Sequence, residues 1–253
     1  MSGLADLWHD LERVVEATSR FPPVACDATP DRGGVCALDA FVDWAAVERG
    51  EIVVKRHVRA DGMSRVVAVG MVPQARAGAW LAVTQDLQPG QEGIVERRLS
   101  GRWAASPKQM YQRIDLPWPV ADRHWVIEGR TNLALAAAEP RVWERSWSLV
   151  PGALAGARTG EPDVGAYDAS VAVPRNEGGW ILIEAGPTRT LAIYSVSVNL
   201  GGAVPEGAVS RWTESSVEGL YTTLATDAKR YSTRTGAACT QPGGDGKPVG
   251  CAP

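Results

Sequence analysis

The first part of the chain has the apolar spacing of an amphipathic helix over residues 2–19. Its apolar residues recur at intervals that place them on one helical face: Leu4, Leu7, Trp8, Leu11, Val14 and Val15. Ser2 is the predicted N-cap, because a serine hydroxyl can accept a hydrogen bond from the first turn. A loop over 21–35 and a short helix over 37–47 are predicted to follow.

Strand-like segments dominate the middle of the chain. Residues 51–59 and 64–72 are separated by Asp61-Gly62, a dipeptide typical of tight turns, so they predict a β-hairpin. Pro73 is predicted to open a helix over 73–86, because proline is tolerated in the first helical turn. Further strands are predicted over 93–102, 108–116, 124–139, 141–150, 166–174, 178–186 and 188–199, with a loop over 151–165.

The predicted strand over 141–150 alternates between two kinds of side chain. Its mainly large residues fall on one face, at Trp143, Arg145, Trp147 and Leu149, and its other face carries Glu144, Ser146 and Ser148. Alternation of this kind is typical of an antiparallel sheet with one face covered.

A long helix is predicted after Pro205, and it ends near Tyr231. Its apolar positions recur at helical intervals: Val209, Trp212, Leu220, Leu224 and Tyr231. Residues 232–253 are rich in Gly, Pro, Thr and Ala, and they predict a tail. The chain is therefore predicted to form one α+β domain, in which about nine antiparallel strands combine with helices at both ends and a helical insertion.

Charge and aromatic content narrow the function. The chain has 26 basic and 29 acidic residues and a net charge of −3, which provides no electrostatic drive toward nucleic acid. It has 10 Trp but only 2 Phe. Because Trp combines a large apolar surface with one N–H donor, it suits the wall of a pocket as well as an ordinary core.

The four cysteines lie in loop-like segments near the two ends of the chain, at Cys26, Cys36, Cys239 and Cys251. An even number in such segments predicts two disulfides and an exported protein. Of the three pairings, we favour Cys26–Cys36 with Cys239–Cys251, because both close short loops. Four free thiols in a cytoplasmic protein are the alternative.

No run of residues is long and apolar enough to predict a membrane span. The N-terminus lacks the basic and apolar regions of a signal peptide. The cysteines nevertheless lead us to expect a periplasmic or secreted protein, with the cytoplasm as the alternative.

Three segments carry a resemblance to a known family. In LPWPVADRHWV (116–126), a Pro-Trp-Pro run precedes the pair Asp122-Arg123. TLAIYSVSVNLGGAVP (190–205) joins a strand, a Gly-Gly turn and a Pro, and AWLAVTQD (79–86) is a helix that ends in Asp. By their sequence, their order along the chain and their spacing, the three segments resemble START domains, the steroidogenic acute regulatory protein-related lipid-transfer domains.

The resemblance implies a helix-grip fold over most of the chain, in which a curved sheet wraps around the C-terminal helix and the space between them holds one hydrophobic ligand. It divides the chain into an N-terminal helical segment (1–48), a START-like lipid-binding domain (49–232) and a Gly/Pro-rich tail (233–253). One position departs from the family's pattern, since Asn199 stands where the family often has Asp, although both residues can cap a turn.

The expected cavity needs small residues for space, large ones for walls and a few polar groups to orient a ligand. Small residues are available at Ala134, Ala136, Ala137, Ala138, Ala192, Ser195 and Ser197. The predicted walls are Trp103, Met110, Trp125, Trp143, Trp147, Trp180, Tyr194, Trp212 and Leu220. Glu128, Arg130, Glu144 and Arg145, all on central strands, are predicted to orient the ligand's polar end. Solvated strand faces or structural ion pairs are the alternative for them.

Catalytic motifs are absent from the sequence, and its three histidines, His9, His57 and His124, are scattered. We therefore expect non-enzymatic binding and transport of a lipid or sterol-like molecule, without a cofactor or metal. A polyketide cyclase or aromatase on a related fold is the alternative, with Tyr111, Tyr194, His124 and Glu128 as its candidate acid/base groups. A sensing module with a filled pocket is a third.

The expected partner is therefore a hydrophobic small molecule. We also expect transient contact with a membrane, no nucleic acid, and a monomer.

Overall fold

One antiparallel sheet forms the framework of the protein. The computed structural model describes residues 3–21, 38, 41–58, 64–84, 93–202 and 206–252, and the side chains of all of these except 57, 58, 64 and 206–215. Its nine strands are β1 (Val53–Val58), β2 (Ser64–Val72), β3 (Ile94–Ser100), β4 (Lys108–Ile114), β5 (Arg123–Thr131), β6 (Val142–Leu149), β7 (Val171–Ala172), β8 (Arg175–Gly186) and β9 (Arg189–Asn199). They follow the order β1-β2-β9-β8-β6-β5-β4-β3, and the short β7 pairs in parallel with β5.

Seven α-helices are described around this sheet. They are α1 (Leu4–Thr18), α2 (Trp44–Glu48), α3 (Arg76–Thr84), α4 (Leu133–Ala138), α5 (Leu154–Ala157), α6 (Val164–Ala169) and α7 (Glu206–Ser232). A 3₁₀ helix follows at Gly236–Thr240. The prediction of an α+β fold with about nine strands, an N-terminal helix, a helical insertion and a long C-terminal helix is thus confirmed.

The two faces of the sheet are buried against different helices. Because successive strand residues point to opposite faces, the alternating positions of β2, β8 and β9 divide between two cores. On the outer face, Val67, Ile181 and Ile193 pack with α1, α2 and α4. On the inner face, Ala68 and Leu182 pack with α3 and α7.

Tyr221 attaches the long helix α7 to the inner face. Its hydroxyl lies 2.9 Å from the carbonyl oxygen of Ala68 in β2 and 2.7 Å from that of Ala192 in β9. The ring fits because residue 70 is a glycine, where a Cβ would lie 2.8 Å from the Tyr221 ring. The arrangement positions α7 across two adjacent strands.

The predicted strand over 124–139 is wrong beyond Thr131. Asn132 accepts a hydrogen bond from the Leu135 backbone N–H and begins α4. Alanine is the strongest helix former, so the LALAAA run forms a helical turn once this cap is in place. The alanines at 134, 136, 137 and 138 therefore belong to α4 and not to a strand facing the cavity.

The segment over 151–174 also differs from its prediction. Two short helices, α5 and α6, occupy most of it, and only Val171–Ala172 is extended. The Asp163 carboxylate accepts from the Ala166 backbone N–H, and this cap converts the predicted strand start into a helix. These helices cover the outer face of β4 and β5, where Tyr111 and Val126 are buried.

Three predicted helices are described with later starts. The first helix begins at Leu4 with Gly3 at the N-cap position, and the Ser2 side chain lies outside the described residues. The helix predicted from Pro73 begins at Arg76, because the chain turns after β2 before the helix starts. The short helix predicted over 37–47 is described at Trp44–Glu48, where the Asp43 carboxylate accepts from Ala46 N–H. The Asp61-Gly62 turn lies outside the described residues.

The predicted tail packs against the domain. A disulfide joins Cys239 to Cys251, as in the favoured pairing, while Cys26 and Cys36 lie outside the described residues. The Trp80 indole donates to the Pro242 carbonyl oxygen at 2.9 Å, and Gly243 and Gly244 lie directly against the Trp143 ring. The end of the chain thereby covers α3 and the end of β6.

Candidate functional site

A cavity of about 280 Å³ lies between the inner face of the sheet and the helices α3 and α7. Strands β3, β4, β5, β6, β8 and β9 all contribute to its wall, so the sheet wraps around it. The volume is close to the lower end of the range for small-molecule sites, roughly 300 to 1,000 Å³.

One end of the cavity is apolar. It is formed by residues that pack in one cluster: Ile94, Ile114, Trp125, Ile127, Val198 and Leu200. Leu220 of α7 also lines the cavity. Their register explains the shared face: Ile94 pairs with Ile114 across β3 and β4, and Trp125 and Ile127 are alternate residues of β5. This end can bury the chain or ring system of a hydrophobic molecule.

Aromatic rings form the wall over β6, β8 and β9. Trp147 stacks on Tyr194 with ring centroids 5.9 Å apart, and Trp180 approaches Tyr194 at 4.8 Å. The Trp147 ring lies over Gly178, where a Cβ would be 2.2 Å from the indole. The Trp147 indole N–H donates to the Asn176 side-chain oxygen at 3.0 Å, which fixes the ring orientation.

A buried arginine lies beside these rings. Arg145, Trp180 and Tyr194 are direct cross-strand partners on β6, β8 and β9, so their side chains share the inner face. Arg145 is 4% exposed, and its Nη1 donates to the Ala105 carbonyl at 2.9 Å and to the Thr131 hydroxyl at 3.1 Å. Burial lowers the pKa of Arg145 to about 10, which leaves it charged at neutral pH.

Three further polar side chains reach the cavity from β3 and β4. Lys108 donates to the Thr84 carbonyl at 2.6 Å. Gln112 bridges Glu96 and Trp125, since its amide nitrogen donates to the Glu96 carboxylate and its oxygen accepts from the Trp125 indole at 2.8 Å. These groups are engaged with the protein, and they make one side of the cavity polar.

Seven of the twelve residues predicted to contact a ligand line the cavity: Met110, Trp125, Arg145, Trp147, Trp180, Tyr194 and Leu220. Trp212 is in α7, but its side chain lies outside the described part of the chain. The four others lie elsewhere. Trp103 packs on Tyr231 with ring centroids 5.3 Å apart, and Trp143 packs edge-on against Trp80 beneath the end of the chain.

Glu128 and Arg130 are placed away from the cavity by strand alternation. Trp125, Ile127 and Gly129 of β5 face the cavity, so residues 128 and 130 point to the opposite face. There they form an ion pair with each other, which is the structural alternative for them. The prediction that Glu144 orients a ligand is also wrong, because it alternates with Arg145 and is buried on the outer face, where it accepts from Ser19 and Asn132.

The site also contains residues that the sequence pattern does not single out. Lys108, Gln112 and Asn176 line it, and each is a polar residue within a strand, which ordinarily indicates a solvated face. The alternation of β4 carries a signal, because Lys108, Gln112 and Ile114 share a face with Met110. This alternation would identify them as cavity residues only if the register of β4 in the sheet were known, and the sequence pattern alone does not give that register.

The candidate acid/base groups are not gathered in the cavity. Tyr111 and His124 are buried on the outer face, where Tyr167 packs against both. Among these candidates only Tyr194 lines the cavity, and burial raises the pKa of its phenol. In the part of the chain that the structure describes, no cluster of His, Cys, Asp or Glu could hold a metal ion.

Solved structures match the fold of this chain. Human STARD10 matches with a TM-score of 0.54 and 10% identity over 71% of this chain and 70% of its own. The chain has a START fold. A STAR-related lipid transfer protein from Xanthomonas axonopodis (fragment 25–204) matches with a TM-score of 0.54 and 16% identity, over 70% and 93% of the two chains. Human StAR-related lipid transfer protein 5 matches with 0.52 and 15%, over 72% and 83%.

Aromatase/cyclases are among the weaker matches, with TM-scores of 0.41 and 0.45. No family model matches the sequence, and no curated protein does. The matched START proteins are 10 to 16% identical to this chain, so the likeness is one of fold.

Proposed function

We propose that the protein binds a hydrophobic small molecule, a lipid or sterol-like compound, in this cavity and transports it without chemical change. The observation that carries the proposal is a cavity with an apolar end and an aromatic wall inside a START fold. Burying apolar surface stabilises a complex by about 25 cal/mol per Å² before the cost of association, so binding requires no covalent chemistry.

The acid/base groups of the cavity favour ligand binding over catalysis. A cyclase needs an acid and a base near the reacting atoms. Of the candidates, only Tyr194 reaches the cavity, and its raised pKa disfavours the phenolate that a base would need. An open cavity of this size also argues against a module with a filled core.

Native mass spectrometry of the purified protein, followed by organic extraction, tests the proposal. We expect a hydrophobic molecule at about one per chain, and replacement of Val198 by Trp should fill the cavity and abolish retention. Val164→Trp, at an exposed position on α6, is the matched control and should retain the ligand. A wild-type protein that binds nothing from a sterol, phospholipid and fatty-acid panel would overturn the proposal.

Transport requires contact with a membrane, and we propose Trp118 for that contact. It is 93% exposed in the segment between β4 and β5, which begins directly after the cavity residue Ile114. Tryptophan is favoured at membrane interfaces. Trp118→Ala should slow ligand transfer between vesicles with unchanged affinity, whereas Leu133→Ala, at an exposed position on α4, should leave the rate unchanged. Equal rates for all three proteins would refute this role.

Two further expectations concern the state of the protein. The disulfide at Cys239–Cys251 supports an exported protein, because disulfides persist in oxidising compartments. In the described part of the chain no helix has the length and apolarity of a membrane span. We also expect a monomer, which size-exclusion chromatography with light scattering would test.

A further inference from the structure

Arg145 is a buried cation that forms no ion pair with any residue the structure describes. Both of its hydrogen bonds leave from Nη1, while Nη2 has no acceptor and Nε donates to no described residue. Its pKa is lowered by burial alone, with no charged neighbour contributing. A buried charge is costly unless it is paired or fully hydrogen-bonded.

Arg123, a buried arginine of the neighbouring strand β5, has acceptors for all three of its guanidinium nitrogens. Arg123 donates through Nε, Nη1 and Nη2 to backbone carbonyls, including those of Leu200 and Gly201. The fold can therefore provide acceptors for an arginine on the central strands. At Arg145 it leaves one edge of the guanidinium, Nε and Nη2, without them.

This edge packs against Gly129 of β5. A Cβ at Gly129 would be 2.8 Å from Nη2 and 3.1 Å from Nε, so the guanidinium covers the backbone of a residue that itself lines the cavity. Nη2 is covered in this conformation. A ligand would reach it after a rotation of the guanidinium toward the cavity.

The carboxylate of the cavity wall is too far away to serve as the counter-charge. Glu96 pairs with Gln112, which pairs with Trp125, four residues along β5 from Gly129. At the rise of a β-strand this separation is about 13 Å. The other charged residue of the wall, Lys108, pairs directly with Gly129 and is itself a cation, so it provides no counter-charge.

We propose that the ligand is an amphipathic carboxylic acid, with its carboxylate on the Nε–Nη2 edge of Arg145 and its single chain or ring system at the apolar end near Ile127. The planar guanidinium edge matches the two oxygens of a carboxylate. The cavity volume suits one chain better than a two-chain phospholipid. This inference rests on the proposed function and specifies the ligand class of the same site.

The test compares two probes that differ only in the head group, dodecanoate and dodecanol, by calorimetric titration of the full chain. We expect the wild-type protein to bind the acid at least about tenfold more tightly than the alcohol, as a charge-assisted pair outweighs a neutral one. Arg145→Met should remove this preference by weakening binding of the acid alone. Arg130→Met, the same substitution on the opposite face of the sheet, should keep it.

The outcomes separate this inference from the proposed function. If dodecanol binds and the acid binds no better, the cavity is a hydrophobic site and the role of Arg145 is wrong. The same holds if Arg145→Met folds and keeps the preference. If neither probe binds the wild-type protein, this inference fails; absence of binding across the wider lipid panel would overturn the proposed function as well. The wild-type ratio decides the question even if Arg145→Met does not fold.

Discussion

Glu144 and Arg145 are consecutive residues of β6, buried on opposite faces of the sheet, and only Glu144 is surrounded by hydrogen-bonding partners. The Glu144 carboxylate is 0% exposed and accepts from the Ser19 hydroxyl, the backbone N–H groups of Arg20 and Phe21, and the Asn132 amide. The pair shows how one strand can contribute a structural charge to one face and a candidate binding charge to the other.

Replacement of Glu144 by Gln should destabilise the protein by about 3 kcal/mol, because an amide presents N–H donors where backbone donors need an acceptor. Guanidinium denaturation would measure the change. Glu51→Gln is the control, since that side chain is exposed and paired with Arg49, and it should change stability by less than about 0.5 kcal/mol. Equal effects of the two variants would contradict a structural role for Glu144.

Gly178→Ala should displace Trp147 from the cavity wall. The new Cβ would lie 2.2 Å from the indole and 2.6 Å from the Ser195 carbonyl oxygen, and overpacking of this kind costs about 1–3 kcal/mol. We expect lower stability together with weaker ligand binding. Gly219→Ala on α7, where no atom lies within 4 Å, should be neutral or stabilising. Unchanged binding by Gly178→Ala would show that Trp147 is not part of the site.

Stability should fall as the pH is lowered through about 6.5, the ordinary pKa of histidine. Burial and, secondarily, the positive charge of Arg113 lower the pKa of His124 in the folded protein. In this range the unfolded chain therefore binds a proton that the folded chain does not, which favours unfolding. His124→Gln should flatten this part of the profile, which denaturation at a series of pH values would measure. A profile for His124→Gln as steep as that of the wild type would refute the assignment.

Loss of the Cys239–Cys251 disulfide should destabilise the end of the chain and the core beneath it. The bridge spans 12 residues, and closing a loop of about that length stabilises a protein by roughly 3 kcal/mol. The double variant to Ser should show this loss, together with faster hydrogen exchange at the Trp80 indole that the segment covers. No change in either would indicate that packing alone holds the segment.

Mass spectrometry of the wild-type protein and of this double variant tests the predicted Cys26–Cys36 bridge. The intact mass should be about 4 Da below that of the reduced chain if Cys26 and Cys36 are also joined, because each disulfide removes two hydrogens. The variant that lacks Cys239 and Cys251 should then still lie about 2 Da below its own reduced mass. A single bridge in the wild type would contradict the favoured pairing.

Alternation and helical periodicity were sufficient for most elements because they reflect burial of one face. The long strands β8 and β9 and the helix α7 were predicted from sequence for this reason, and so was the nine-stranded α+β architecture. The motifs at 116–126 and 190–205 added the START resemblance. The prediction was wrong where a side chain caps a helix. Asn132 and Asp163 each accept a backbone hydrogen bond at the N-cap position, so the residues that follow them form α4 and α6 where strand was predicted.

The assignment of faces depended on tertiary structure. The side chains of Trp143 and Trp147 share one face of β6, yet only Trp147 reaches the cavity, because α3 and the end of the chain cover Trp143. Likewise Arg130 and Arg145 are both strand arginines, and register placed one in an exposed ion pair and the other at the cavity. Sequence alone determined which residues of a strand share a face. Only the packing of helices on each face of the sheet decided which face encloses a space large enough for a ligand. That packing depends on contacts between residues far apart in the chain, which strand alternation does not specify.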